Sequence, residues 1–294
     1  MRHLDVFSGI GTWALAARSV WDDYECIGFC ETDWFCRMVL QKHFPGVPIY
    51  DDIRTLTDTT GTRLEGSRRS EPSLAVHRGC VDLLTASPPC QAASQAGQRR
   101  GKADDHWLWP ETVAALQAVQ PTWCILENVY GLLTLESGVV FEELCLALEG
   151  IGYDIQPFVI PAVAVNAPHR RDRVWIVAHT RRQRTGDTLG AVSEQGRPSV
   201  PRGSDRLRPT KWQACTGWPD PAAWERGWRE MAVATCVLGV DDGTAGALAQ
   251  LPDGSIIPQT RLRREGLKAV GNAIVGQVAV EIMKAIKAAD EAAR

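Results

Sequence analysis

The chain has 294 residues, 23% of them charged and 45% hydrophobic, with a formal net charge of −3. That length can bury a large core, so one large domain plus a small one is expected. The near-neutral balance excludes a globally basic binder of polyanions, so any such surface has to be local. No apolar run approaches the roughly 20 residues of a membrane-spanning helix, and the sequence turns strand-like within four residues of Met1, so neither a membrane span nor a signal peptide before the fold is expected. Nine scattered cysteines, an odd number, read as reduced thiols of a cytoplasmic protein. Cys26, Cys30 and Cys36 read as core thiols, and no metal site is expected.

In chain order, HLDVF (3–7) predicts a strand and GTWALAARSVW (11–21) a helix. CIGFCE (26–31) is a second strand and WFCRMVLQKHF (34–44) a second helix. DDIRTL (51–56) places Asp52 and Ile53 at the tip of a third strand. VDLLTAS (81–87), WCILENV (123–129) and RVWIVAH (173–179) are further strands, with helical ETVAALQAV (111–119) and FEELCLALEGIG (141–152) between them. This alternation predicts an α/β fold, a mostly parallel sheet covered by helices on both faces.

From about residue 180 the texture changes. Residues 181–211 carry eight Lys and Arg against three acids, and tryptophans follow at 212, 218, 224 and 228 with weak periodicity. LKAVGNAIVGQVAVEIMKAIKAA (267–289) then predicts one closing helix. The expected division is a large domain over 1–178, completed by 266–294, and a small irregular domain over 179–265.

Two stretches carry chemistry. DVFSGIGTWALA (5–16) is a strand, a glycine turn and a helix start, where Gly9 and Gly11 permit a tight turn and close approach to a ligand. Glu31 follows about 20 residues later, where a ribose hydroxyl is gripped in a dinucleotide-type site, and Asp52 with Ile53 suits an adenine edge and face. These residues predict a nucleoside-type ligand, and the glycine pattern alone leaves NAD open. DLLTASPPCQAASQAGQ (82–98) sets Cys90 straight after Pro88 and Pro89 at the end of a strand, the edge at which ligands of parallel sheets bind. Glu127 ends another strand. A thiol held beside a carboxylic acid suits covalent attack on a pyrimidine ring while the acid protonates it. The small, basic stretch after Cys90 offers Arg99, Arg100 and Lys102 to phosphates. Arg171 and Arg173, two apart at the start of a strand, are expected to face one side.

Together these residues resemble the DNA cytosine-5 methyltransferase family, and the resemblance is to its compact phage, prophage or restriction–modification members. DVFSGIGT is similar to the family's first motif, with Phe7 as the residue packing on adenine and Gly9, Ile10 and Gly11 around the cofactor. Glu31 falls where the family holds the ribose of S-adenosylmethionine, and Asp52 with Ile53 where it holds the adenine. SPPCQ contains the Pro-Cys nucleophile, which makes Cys90 the nucleophile and puts Pro88 beside the cofactor. ENV places Glu127 on the cytosine ring. HRRDR resembles the Gln-x-Arg-x-Arg motif and carries over Arg171 and Arg173. GNAIV places Asn272 near the cofactor. His169 stands where glutamine is usual, and Thr32 where a large aromatic is common.

The resemblance implies a Rossmann-like S-adenosylmethionine-dependent methyltransferase fold with a small target recognition domain. It implies methyl transfer to carbon 5 of a flipped-out cytosine in double-stranded DNA through a Cys90 adduct. Gln91, Ser94, Arg99 and Arg100 are the expected DNA contacts, with the basic 181–211 segment and Arg261, Arg263 and Arg264 on the backbone. A monomer is expected. Three other readings stay open: a tRNA-methylating enzyme of the same fold, a catalytically silent DNA-binding relative, and an NAD-dependent dehydrogenase. The first lacks its characteristic cysteine-containing insert here, and the last leaves Cys90 and Glu127 unexplained.

Overall fold

The computed structural model describes residues 1–56, 79–89, 107–167, 169–180, 249–250, 256–257 and 259–292. Its centre is a seven-stranded sheet in the order β3-β2-β1-β4-β5-β7-β6. The strands are β1 (Arg2–Val6), β2 (Glu25–Cys30), β3 (Ile49–Tyr50), β4 (Leu83–Ala86), β5 (Trp123–Val129), β6 (Tyr153–Pro161) and β7 (Asp172–Thr180). The helices are α1 (Thr12–Val20), α2 (Trp34–His43), α3 (Trp109–Val119), α4 (Val139–Gly150), α5 (Gln259–Asn272) and α6 (Gly276–Ala292). A separate two-stranded ladder joins β8 (Ala249–Gln250) to β9 (Ile256–Ile257).

Strand alternation sorts the core into two layers. Leu84, Leu126, Val174 and Ile176 pack with Leu116 and Val119 of α3 and Leu144 and Leu148 of α4. Their chain neighbours Leu83, Ile125 and Trp175 point the other way, onto Trp13, Ala16 and Ala17 of α1 and Val278, Ile282 and Met283 of α6. Each buried Leu, Ile, Val or Met among them contributes about 1.5–3 kcal/mol by leaving water. Trp13 and Trp175 meet edge to face, ring centres 5.6 Å apart.

Because β1 pairs in parallel with both β2 and β4, the chain winds outward in two directions from their junction. Such a switch point leaves a crevice at the carboxyl ends of the strands. Beneath it, His3 Nε2 lies 2.7 Å from the Thr85 hydroxyl, which donates to Asp5 Oδ1 at 2.9 Å, and His3 Nδ1 lies 2.9 Å from the Tyr24 hydroxyl. Burial pushes His3 down to about 3 and the Asp5 carboxyl well up, so both favour their neutral forms.

The sheet is mostly parallel, as the alternation predicts, with β7 antiparallel to both β5 and β6. The structure departs from the sequence expectations in four places. First, strand β6 has no counterpart among the expected strands. It is an edge strand, largely exposed along its middle, and Pro157 and Pro161 interrupt its apolar pattern. Second, Arg171 is not on a strand. It precedes β7 with φ 37°, so the two-residue strand spacing does not govern where it points.

Third, the closing helix is two helices, broken at 273–275. The carbonyl of Ala273 accepts from Arg171 Nη2 at 2.6 Å, and Ile274 and Val275 are drawn into the core. The first of these helices begins at Gln259, so the expected boundary at 265/266 falls inside it. Fourth, by length and hydropathy alone, Arg264–Ala292 is apolar enough to cross a membrane, but it contains that break and 56% of its most apolar window is buried in the fold.

Candidate active site

The crevice holds a cavity of about 600 Å³ whose wall includes Phe7, Gly9, Glu31, Asp52, Ile53, Pro88, Glu127, Arg171, Arg173 and Asn272. Residues separated by up to 265 positions in sequence thus meet around one space. Ile10 and Gly11 stand behind the wall. Ile10 packs with Phe35, Val39 and Ala269, while Gly11 backs onto Phe44 and Leu40. His169 is exposed. Cys90, Gln91, Ser94, Arg99, Arg100, Lys102 and the 181–248 segment lie outside the described residues, as do the side chains of Arg261 and Arg263. Arg264 is exposed and pairs with Glu265 at 3.1 Å.

One end of the cavity is built on the turn after β1. Phe7, Gly9 and Gly11 have φ of 54°, 55° and 83°. A side chain at Gly9 would meet nothing within 4 Å, so the backbone faces open space there. A Cβ at Gly11 would stand 2.7 Å from the Phe44 ring. Glu31 spans the turn: Oε2 accepts from Gly9 N–H and Oε1 from Asp33 N–H, both at 2.7 Å. Burial raises the Glu31 carboxyl, and those two N–H groups oppose the shift. Each carboxylate oxygen keeps a second lone pair for a hydroxyl. Asp52 accepts from the Arg54 N–H at 2.9 Å, and Ile53 lies buried beside it.

The other end is acidic and cationic at once. Glu127 is 7% exposed, and Arg173 Nε lies 3.0 Å from its Oε1. Burial raises the Glu127 carboxyl, against Arg173, Arg171 and the Ser87 hydroxyl. Ser87 itself accepts from Trp13 Nε1–H at 3.0 Å. Asn128 Nδ2 donates to the Pro88 carbonyl at 3.1 Å, tying the end of β5 to the Pro-Pro step that leads into Cys90. The side chains of Ser87, Asn128, Asp33 and Lys268 were not singled out for roles from the sequence. Ser87 and Asn128 adjoin the motif residues and could have been found by position, whereas Lys268 carries no local signal.

One end of the cavity thus offers carboxylate oxygens beside a glycine turn, and the other a buried carboxyl paired with an arginine. The family model described as C-5 cytosine-specific DNA methylase matches residues 1–206. The chain belongs to the C-5 cytosine-specific DNA methylase family. Among the methylases it resembles, the orphan methyltransferase M.SPRI of Bacillus phage SPR is 29% identical over 178 residues, covering 60% of this chain and 37% of that protein. The type II methyltransferase M2.BsuMI of Bacillus subtilis (strain 168) is 32% identical over 183 residues, covering 60% of this chain and 42% of that protein. The chain thus spans less than half the length of these two methylases. A putative DNA modification methyltransferase encoded within an Escherichia coli prophage aligns in structure with TM-score 0.46 and 20% identity, over 61% of this chain and 47% of that one.

Proposed function

We propose that this methylase transfers a methyl group from S-adenosylmethionine to carbon 5 of a cytosine flipped out of double-stranded DNA. The observation that carries the reading is Glu127: a buried carboxyl paired with Arg173 in the same cavity as Glu31, with Pro88 and Pro89 leading from that wall to Cys90. Glu31 and Asp52 would hold the ribose and adenine of the cofactor, with Phe7 and Ile53 against the adenine and Gly9, Pro88 and Asn272 closing round it. When bound, S-adenosylmethionine supplies the methyl group from its sulfonium.

Carbon 5 of cytosine is a weak nucleophile. Addition of the Cys90 thiolate to carbon 6 pushes electrons toward ring nitrogen 3, where Glu127 delivers its proton, and carbon 5 becomes enamine-like. The raised Glu127 keeps that proton to higher pH than an exposed glutamate does. Arg173 fixes the carboxyl and, with Arg171, supplies positive charge beside the ring. After methylation water takes the proton from carbon 5, the electrons of that bond re-form the 5,6 double bond as the carbon–sulfur bond breaks, Cys90 departs as thiolate and nitrogen 3 returns its proton to Glu127. The base has to leave the stack first, at a cost of a few kcal/mol. The basic 181–211 segment would grip the phosphates, the 179–265 segment would read the target sequence, and the protein would act as a monomer.

Labelled cofactor incubated with duplex DNA or tRNA tests the reading. Label is expected in DNA, together with a covalent adduct on 5-fluorocytosine duplex that disappears in Cys90→Ser. Label in tRNA alone, or full activity in Cys90→Ser, overturns it.

A further inference from the structure

Lys268 reaches out of α5 across the rim of the cavity. Its Nζ lies 3.0 Å from Asp33 Oδ2, and 3.9 Å from Glu265 on its own helix. Asp33 is held from three directions. Its Oδ1 accepts from the N–H groups of Phe35 and Cys36, capping α2, and its own N–H donates to Glu31 Oε1. The other oxygen of Glu31 is bound to Gly9 N–H. A continuous chain of bonds therefore runs Lys268–Asp33–Glu31–Gly9, from the closing helix to the glycine turn. Burial pushes Asp33 upward, but Lys268 and the helix N–H groups outweigh it and hold the carboxyl below its usual range. At the far end of the same segment, the Ala273 carbonyl is anchored by Arg171. Residues 268–273 thus form a strap tied on both sides of the cavity, with Lys268, Ala269, Gly271 and Asn272 on its wall.

We propose that Lys268 is a positioning residue of the cofactor site: by fixing Asp33 it sets the orientation of the Glu31 carboxylate and seats the strap carrying Asn272 over the bound nucleoside. This rests on the cofactor reading above. Lys268 is 59% exposed, so the coupling is modest and screened by salt.

Calorimetric titration with S-adenosylhomocysteine tests it in the whole 294-residue chain. Lys268→Ala, on a helix where alanine is well tolerated, is expected to raise Kd about fivefold at low salt, the scale of an exposed ion pair. The difference narrows as salt rises, and the melting temperature stays close to wild type. Lys268→Arg restores most of the affinity, and Lys268→Glu, which sets like charges together, weakens it further than alanine does. Wild-type affinity in Lys268→Ala, or a loss of affinity that follows a lowered melting temperature in every variant including arginine, overturns the inference and leaves the cofactor reading standing. A wild-type protein that binds no S-adenosylhomocysteine removes both.

Discussion

Arg173 Nε sits 3.0 Å from Glu127 Oε1 because β7 runs antiparallel to β5. Glu127 lies opposite Trp175, and Arg173 lies opposite Val129, two residues further along β5. The acid and the arginine are therefore diagonal neighbours on one face of the ladder, within reach of long side chains. The ion pair follows from strand direction as much as from residue type.

Glu127→Gln keeps the shape and removes the titration. Methyl transfer is expected to fall at least about 100-fold, the scale of a lost general acid. Stability should move the other way. The folded protein holds the Glu127 proton more tightly than the unfolded chain, so this group's contribution is full at low pH and is lost as pH rises above the ordinary carboxylate range through the raised folded value. The variant should melt above wild type at pH 8, with the gap closing toward pH 4. Thermal melts across that range check it.

Arg173→Met retains the stem and removes the charge that most opposes the upward shift of Glu127. The rate should drop by about 100-fold or more, as when a preorganised charge partner is lost. The alkaline limb of the pH–rate profile, where Glu127 gives up its proton, should move to higher pH. A slower enzyme with an unmoved limb would show that Arg173 does not act through Glu127.

The two glycines of the first turn should separate binding from folding. Gly11→Ala forces a Cβ to 2.7 Å from Phe44 and 3.0 Å from Leu40 at φ +83°, and should cost about 1–3 kcal/mol in denaturant unfolding. Gly9→Ala meets nothing within 4 Å, so its stability loss should be the smaller. Its methyl group occupies space at the cavity wall, and S-adenosylhomocysteine binding should weaken about tenfold or more, roughly 1.4 kcal/mol.

His3 should make the wild type acid-sensitive. Burial pushes it down to about 3, so between there and its ordinary value of 6.5 the unfolded chain binds a proton that the folded protein does not. Stability from this group is complete above the ordinary value and declines as pH falls below it, by about 1.4 kcal/mol per pH unit once the unfolded histidine is fully charged. His3→Gln should lose stability at pH 7.5 through the broken Tyr24 and Thr85 bonds, and regain ground on wild type toward pH 5. A constant difference between the two melting curves would contradict the buried, neutral histidine.

Local sequence carried the strand–helix alternation over the described residues between 2 and 150, the glycine turn, and the positions of Glu31 and Glu127 on the cavity wall, because each is written in a few neighbouring residues: apolar period, left-handed glycine, strand-end carboxylate. What it could not carry was the direction of β7, the edge strand β6 with its two prolines, the left-handed Arg171 and the break after Asn272. Arg171 bonds Ala273 across 102 positions, and Lys268 bonds Asp33 across 235. Periodicity reports which side of an element is buried. It does not report which distant donor will take a carbonyl out of a helix or a carboxylate out of solvent, and those partners exist only once the sheet has brought both ends of the chain to one crevice.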